Sequence, residues 1–206
     1  MKNVDIGFVY PTYFGEEFGE IVTKELEHPN LRIYLKAEEP KTWASAEWAI
    51  PGIISAYILK PYFEAFLKEA GKDHYNLLSK WLKQNLKIGK KAEIEVITGE
   101  SSPNKLDKLN TQSKAISVHI QVKDGRIIKF MFDDTLTEDD WLNGMDKALL
   151  AIEAHYNDFP KDQLSLELKP LEPNPAFEIF AIIDKDMREW KFFDLNKMMQ
   201  ERNKAK

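Results

Sequence analysis

The longest apolar and aromatic region of the chain runs from Trp48 to Ile88 and reads WAIPGIISAYILKPYFEAFLKEAGKDHYNLLSKWLKQNLKI. It is rich in aromatic residues, and its apolar residues recur at helical spacing. Pro61 lacks a backbone donor and is disfavoured inside a helix, but it is favoured at the first helical position. We therefore predict a helical layer over residues 48–88, in which Lys60 marks a break and Pro61 begins a new helix.

Both halves of this region have a helical pattern. Before the break, the residues at helical spacing are Ile53, Ile54, Tyr57 and Ile58. After the break, Gly71 is expected to close one helix as a left-handed cap, and Asp73 to open the next as an N-cap. Gly89 is expected to end that last helix.

The rest of the chain alternates between apolar and polar residues in short runs, which is typical of strands. The clearest is a hairpin around Asp124-Gly125, where we predict a type I′ turn because that turn requires positive φ at both central positions. Further strands are predicted over residues 4–8, 31–35, 94–96, 164–168, 177–183 and 190–193. Thr137 and Asp140 form a capping-box pattern that begins a helix over residues 138–156.

These elements predict a single α+β domain over residues 1–206. We expect a mixed or mostly antiparallel sheet of about six or seven strands. The helical layer of residues 48–88 and 138–156 would pack on this sheet. Residues 99–113 are predicted to form a polar loop, and the C-terminal tail is charged.

Composition excludes several classes of site. The chain has no cysteine, so disulfides, thiolate nucleophiles, zinc–thiolate sites and iron–sulfur clusters are impossible. Its formal net charge of -5 argues against nucleic acid as a partner. No cofactor-binding fingerprint appears, and no cofactor is predicted. The N-terminal residues lack the apolar core of a signal peptide, so we expect a cytoplasmic protein.

The candidates for catalysis are two carboxylates and one histidine. Asp133 and Asp134 follow a predicted strand, where carboxylate oxygens hold magnesium in many hydrolases. The competing interpretation is that this acidic cluster serves the N-terminus of the next helix. His119 lies on the opposite side of its strand from the apolar residues and is a candidate general base. The histidines do not show metal-ligand spacing, and no metal site is predicted.

Aromatic residues supply the candidates for partner binding, because Trp and Tyr are frequent at binding hot spots. These candidates are Trp43, Trp48, Tyr57, Tyr62 and Phe63. Our first hypothesis is a non-catalytic protein that binds a protein partner or a second copy of itself through this aromatic helical surface. The alternatives are a metal-assisted hydrolase around Asp133 and Asp134, and membrane association through residues 43–67. The apolar run is too short to span a bilayer, so membrane contact is the least favoured of the three.

Overall fold

The computed structural model describes residues 4–15, 17–26, 28, 30–39, 53–69, 71–91, 111–171, 178–194 and 196–197. Within these ranges the strands are β1 (Ile6–Pro11), β2 (Ile33–Glu38), β3 (Ile54–Ile58), β4 (Gln112–Gln121), β5 (Ile127–Asp133), β6 (Ile179–Ile183) and β7 (Trp190–Phe193). The α-helices are α1 (Glu17–Thr23), α2 (Lys60–Glu69), α3 (Gly71–Lys91), α4 (Glu138–Asp158) and α5 (Gln163–Leu168). Short 3-10 turns cover Thr12–Phe14 and Lys24–Leu26.

The seven strands form one mixed sheet in the order β2-β1-β3-β4-β5-β6-β7. The pairs β1/β2, β3/β4 and β5/β6 are parallel, and helices connect the two strands of each of these pairs. The pairs β1/β3, β4/β5 and β6/β7 are antiparallel. The predicted α+β class with a mixed sheet of six or seven strands is therefore confirmed.

One face of the sheet carries the main core, and the buried apolar residues of the helices join it. Three tryptophans join neighbouring elements, because each indole N–H donates to a backbone carbonyl of another element. Trp81 of α3 donates to Val22, Trp141 of α4 to Asp133, and Trp190 of β7 to Gly144, at 2.9, 2.8 and 2.7 Å. We call the other side of the sheet the second face.

The predicted helix over Ile53–Ile58 is wrong, because residues 54–58 form strand β3. A short apolar run fits both periods, and the sheet decides between them. β3 lies between β1 and β4 and pairs with both. Its alternate residues Ile54, Ala56 and Ile58 enter the main core. The helical layer therefore begins at Lys60, where the break was predicted, rather than at residue 48.

The predicted strand over Leu164–Leu168 is also wrong, since these residues form helix α5. Asp162 is its N-cap, and its Oδ1 accepts from the backbone N–H of Ser165 at 2.9 Å. Leu164 and Leu168 are buried four residues apart, whereas Leu166 is 57% exposed. Burial of every fourth residue is typical of a helix. The strand was predicted because the three leucines alternate with polar residues in the sequence.

Two predicted helix boundaries at glycines are wrong as well. Gly71 is the first residue of α3 rather than the cap of α2, and α3 continues past Gly89 to Lys91. Gly89 is buried against β4: a Cβ at this position would lie 2.4 Å from Cγ2 of Ile116. Glycine at this position therefore allows the helix to pack closely on the sheet, and it does not end the helix.

The hairpin and helix α4 are confirmed. The turn differs from the type I′ prediction, because only Gly125 has positive φ, at 95°. Val122 accepts from the N–H of Gly125 and donates to the carbonyl of Arg126, both at 2.9 Å, which makes a three-residue loop with glycine in the left-handed region. Thr137 and Asp140 form the predicted capping box of α4.

Among the described helices, none combines the length and the apolar character that a bilayer crossing requires. The predicted strand at residues 94–96, residues 99–110 of the predicted loop and most of the C-terminal tail lie outside the described residues. The end of the predicted loop is wrong, because Gln112 and Ser113 belong to β4.

The contact between Gly89 and Ile116 can be tested by whether a side chain at position 89 raises or lowers the free energy of unfolding. Alanine usually stabilises a helix interior by about 1 kcal/mol relative to glycine. For Gly89→Ala we expect the opposite, a loss of about 1–3 kcal/mol, because the new methyl group meets the base of a buried β-branched side chain. The measurement is urea unfolding. Asn76→Ala, at an exposed position of the same helix, is the control and should be neutral or slightly stabilising. A stabilised Gly89→Ala protein would show that α3 does not approach β4 this closely.

Candidate functional site

Polar side chains gather on the second face, at the middle of the sheet. Strand alternation directs Ser55 and Tyr57 of β3, Ser117 and His119 of β4, and Lys129 of β5 to this face. Glu178 lies immediately before β6 and reaches the same place. The polar cluster, as we call it, consists of Ser55, Tyr57, Ser117, His119, Lys129 and Glu178.

The centre of the polar cluster is a chain of hydrogen bonds through His119. Its Nε2 lies 2.9 Å from Oγ of Ser117, and its Nδ1 lies 2.8 Å from Oε1 of Glu178. The His119 side chain is only 1% exposed, whereas that of Glu178 is 33% exposed. The imidazole is therefore buried, and the carboxylate that holds it is reachable from solvent.

The hydrogen-bond partners determine which nitrogen of His119 carries the proton. A carboxylate only accepts, so Nδ1 donates to Glu178. In the neutral ring Nε2 is then an acceptor, and the hydroxyl of Ser117 must donate to it. The second serine of the cluster, Ser55, has its Oγ 3.1 Å from that of Ser117 and so donates to it. The result is a directional chain of donors from Ser55 through Ser117 and His119 to Glu178.

Strand β3 supports this chain residue by residue. In the parallel β3/β4 pair, Ser55 is the register partner of Ser117 and Tyr57 is the register partner of His119. The rings of Tyr57 and His119 are stacked, with centroids 4.3 Å apart and planes 19° from parallel. Tyr57 also shares a hydrogen bond with Ser55. The plane of the imidazole and the position of the Ser117 hydroxyl are thus both fixed from the neighbouring strand.

Lys129 adds a buried amine to the cluster. It is the antiparallel register partner of His119 and is 2% exposed. Burial lowers the pKa of Lys129 to about 8, and the nearby charge of Glu178 acts in the opposite direction. Lys129 is therefore mostly protonated at neutral pH, but it loses its proton at a lower pH than an exposed lysine does.

The environment keeps His119 neutral and Glu178 ionised. Burial lowers the pKa of His119 below its ordinary value of 6.5, although the hydrogen bond and charge of Glu178 oppose this shift. Burial acts to raise the pKa of Glu178, but the hydrogen bond and charge of His119, together with the charge of Lys129, outweigh it and lower that pKa. At pH 7 the imidazole is consequently a free base with its lone pair directed at the Ser117 hydroxyl.

A second buried histidine, His155, uses both ring nitrogens for hydrogen bonds that hold neighbouring elements together. His155 of α4 uses Nδ1 for both Asp162 and Ser165, with Oδ1 and Oγ at 3.0 and 3.1 Å. Its Nε2 accepts from the backbone N–H of Lys123 at 3.2 Å. Both nitrogens are therefore occupied in joining α4, α5 and the hairpin. His119, by contrast, connects a hydroxyl on one nitrogen to a carboxylate on the other.

Of the acidic candidates, Asp133 is fully engaged by hydrogen bonds from its own loop and from two other segments. Its carboxylate accepts from the backbone N–H and Oγ1 of Thr135 at 2.8 and 2.5 Å, and from Nζ of Lys185 at 3.0 Å. Oγ1 of Thr111 also donates to it. Burial opposes ionisation, but these hydrogen bonds outweigh it and lower the pKa of Asp133. Such a carboxylate organises the end of β5.

Asp134 is exposed, and its backbone holds neighbouring segments rather than forming a site with His119. Its N–H donates to Thr111 at 2.7 Å, and its carbonyl accepts from Lys90 at 2.8 Å. Lys129 faces His119 across the hairpin, so Asp133 lies four residues farther along β5, about 13 Å away at the usual rise of a strand. The fold thus separates the three predicted catalytic candidates into two places. Among the described residues, no group of three or more His, Asp or Glu side chains is placed to hold a metal ion.

The aromatic candidates are also divided. Tyr62 and Phe63 of α2 are each 4% exposed and belong to the main core, where Phe63 stacks on Tyr156 at 4.6 Å. Tyr57 lies on a strand and belongs to the polar cluster. Trp43 and Trp48 are outside the described residues. The described candidates therefore do not form one aromatic helical surface.

Sequence reasoning identified His119 but missed its partners. Two signals were present: Ser-x-Tyr at 55–57 and Ser-x-His at 117–119 place polar side chains on one face of a strand if both segments are strands. The helical interpretation of residues 53–58 concealed the first signal. A third signal was Lys129, which interrupts the apolar run Ile127–Phe132.

No family model, no curated protein and no solved structure matches this chain. The function must therefore be argued from the geometry of the polar cluster.

The lowered pKa of Lys129 predicts a rise in stability with pH. Between a folded pKa of about 8 and an unfolded pKa near 10.4, the unfolded chain binds more protons, so the free energy of unfolding increases as the pH rises. From pH ~7 to pH ~9.5 we expect a gain of about 2 kcal/mol from this group, measured by urea unfolding. Lys129→Met should lack this gain. If wild type and variant respond to pH in the same way, Lys129 titrates as an exposed lysine does and is not buried.

Proposed function

We propose that this chain is a hydrolase that acts by acyl transfer to serine, with Ser117 as nucleophile, His119 as general base and Glu178 as the residue that orients the base. The observation that supports the proposal is the connection of the imidazole: Nε2 at 2.9 Å from Ser117 and Nδ1 at 2.8 Å from Glu178. A nucleophile, a base and an orienting acid in this order are the requirement for activating a serine hydroxyl.

The reaction follows from the directions of these hydrogen bonds. Oγ of Ser117 attacks the carbonyl carbon of an ester, and Nε2 of His119 accepts the hydroxyl proton. The bond from the carbonyl carbon to the leaving oxygen breaks, and His119 returns the proton to that oxygen to release an alcohol. Water then attacks the acyl-serine, giving one proton to His119. Release of the carboxylic acid restores Ser117, which recovers that proton.

The burial of the polar cluster suits this chemistry. A positive imidazolium forms beside ionised Glu178 when the proton moves, and their attraction is stronger away from water than in it. The carboxylate of Glu178 is 33% exposed and Tyr57 is half-buried, and both of these side chains contact His119. Ser117 and His119 are each 1% exposed, so the proposed reaction requires the cover of the second face to open to an ester.

This proposal shares only the hydrolase class with the alternative from the sequence, which was a metal-assisted hydrolase around Asp133 and Asp134. His119 remains a candidate base, whereas Asp133 and Asp134 lie elsewhere and are not part of the proposed site. Partner binding or self-association through an aromatic surface stays a prediction. Tyr62 and Phe63 offer it little support, because they are buried in the main core.

A fluorophosphonate probe tests the proposal, because it forms a covalent bond only with activated serines and replaces its fluoride with the serine oxygen. We expect labelling of Ser117, located by mass spectrometry of peptides from the wild-type protein. Ser117→Ala should abolish the labelling, and His119→Gln should slow it by about 10²–10⁴-fold, the usual contribution of a general base.

Ser165→Ala is the matched control, since Ser165 also contacts a buried histidine but in the structural arrangement of His155. It should leave the labelling rate unchanged when folding, followed by circular dichroism, is intact. A wild-type protein that is folded and yet unlabelled at Ser117 would refute the proposed hydrolase. This outcome needs no variant, so a misfolded mutant does not obscure it.

A further inference from the structure

Strand β2 forms one edge of the sheet, and in the described part of the chain it pairs with β1 alone. Arg32, just before β2, directs its carbonyl to β1, where it accepts from the N–H of Ile6 at 3.3 Å. The backbone groups of successive residues in a strand alternate in direction, so Ile33, Leu35 and Ala37 direct their N–H and C=O groups away from β1. Such a row of backbone donors and acceptors is a template for pairing with another strand.

The side chains of β2 divide between the two faces of the sheet. Ile33 and Leu35 are half-buried and pack against the main core, and Ala37 follows them on the same face but is exposed. The residues that alternate with them on the second face are charged or aromatic: Arg32, Tyr34, Lys36 and Glu38. The apolar row of the main core therefore ends at an exposed strand.

The sequence of β2 is complementary to itself in the antiparallel direction. If β2 pairs with β2 of a second copy about Leu35, that leucine faces its own equivalent, and Ile33 faces Ala37. All three belong to the core face, so the apolar row of each copy continues into that of the other. Their outward backbone groups then form the hydrogen-bonded pairs of the new ladder.

On the second face, the same register brings complementary groups together. Arg32 faces Glu38 of the second copy, and Tyr34 faces Lys36, which gives two ion pairs and two cation–π contacts by symmetry. Two guanidinium nitrogens of Arg32 donate to Asp5, but the side chain is 51% exposed. Its other N–H groups point the way to a second carboxylate, because a guanidinium has five donors.

Other pairings of the sheet edges do not have this match. Displacing the register by two residues sets Lys36 against its own equivalent in one direction and against Arg32 in the other. Like charges that face each other across strands are destabilising. Strand β7, at the opposite edge, has four residues, of which only Lys191 is charged. Two β7 strands therefore offer each other no ion pair.

We infer that this chain forms a two-fold dimer in which the β2 strands of two copies pair antiparallel about Leu35 and join their sheets into one. The two-fold axis is perpendicular to the sheet, so both helical layers lie on the same side of it. Charged residues on an edge strand commonly oppose pairing, but in this register each of them faces a complementary group. The surface shares no residue with the polar cluster, so the inference does not depend on the proposed hydrolase.

Sedimentation equilibrium of the full wild-type chain tests the association. We expect the average mass to rise with concentration and to level off at two chains. Glu38→Lys should weaken the dimer by about tenfold or more, because it places a positive charge opposite Arg32 at both ends of the ladder. Glu167→Lys, which makes the same change of charge at an exposed position of α5, should leave the association unchanged.

The register can be tested because the chain has no cysteine of its own. Leu35→Cys places two thiols opposite each other, with Cα atoms about 5.5 Å apart, a distance that a disulfide spans. Ala37→Cys places its two thiols four residues apart along the paired strands, about 14 Å, which is too far. With copper–phenanthroline as oxidant, we expect a disulfide-linked dimer from Leu35→Cys and none from Ala37→Cys. A mixture of Ala37→Cys and Ile33→Cys should link.

The outcomes are distinct. A wild-type chain that stays monomeric as its concentration rises would overturn the dimer, and this result involves no variant. A mass that grows beyond two chains would overturn the closed two-fold pairing. If Ala37→Cys links as fast as Leu35→Cys, the thiols meet by random collision or in another register, and the proposed pairing is wrong. Ala37 is the more exposed of the two positions, so random collision favours the opposite result to the one expected.

Discussion

The pairing of β3, β4 and β5 in the middle of the sheet is the constraint on which the structure depends. Because successive side chains of a strand point to opposite faces, each of these strands has to serve two environments at once. Ile116, Val118 and Ile120 of β4 enter the main core, where Ile116 lies against α3. Ser117 and His119, between them, face the other way. A register shift of one residue would exchange the two sets, so the apolar core also fixes the polar cluster.

In the described parts of the chain, the helical layer packs on the face of the sheet opposite the polar cluster. Trp81, Trp141 and Trp190 bind backbone carbonyls of neighbouring elements, and Gly89 allows α3 to approach Ile116 of β4. The tryptophans join α3 to α1, α4 to β5 and β7 to α4, and Gly89 brings α3 against β4. The residues on its other face are then displayed from a backbone that has little freedom, and sites built on such elements are held more accurately than sites on loops.

The polar cluster is energetically unfavourable in isolation, because it buries ionisable groups. His119 and Lys129 both have pKa values lowered by burial, which means that the fold disfavours their charged forms. Apolar residues at these positions would often serve stability as well or better. Perturbed groups of this kind concentrate at functional sites, because catalysis requires pKa values that an exposed side chain does not have. His119 joins a serine hydroxyl on Nε2 to a carboxylate on Nδ1. Nε2 of His155 is instead occupied by a backbone N–H, so that ring has no nitrogen left to act as a base.

Local sequence was sufficient to predict the α+β class, the hairpin at Asp124-Gly125, the capped helix after Thr137 and the position of His119 opposite the apolar residues of its strand. These features depend on local periodicity and on turn and cap chemistry, which a short segment contains in full. Tertiary structure decided whether residues 54–58 are helix or strand, since their spacing fits both and only pairing with β1 and β4 selects one. It likewise decided which residues surround His119, because Tyr57, Lys129 and Glu178 come from three different segments. Contacts between distant segments depend on strand order and register, and these are properties of the whole chain rather than of any stretch within it.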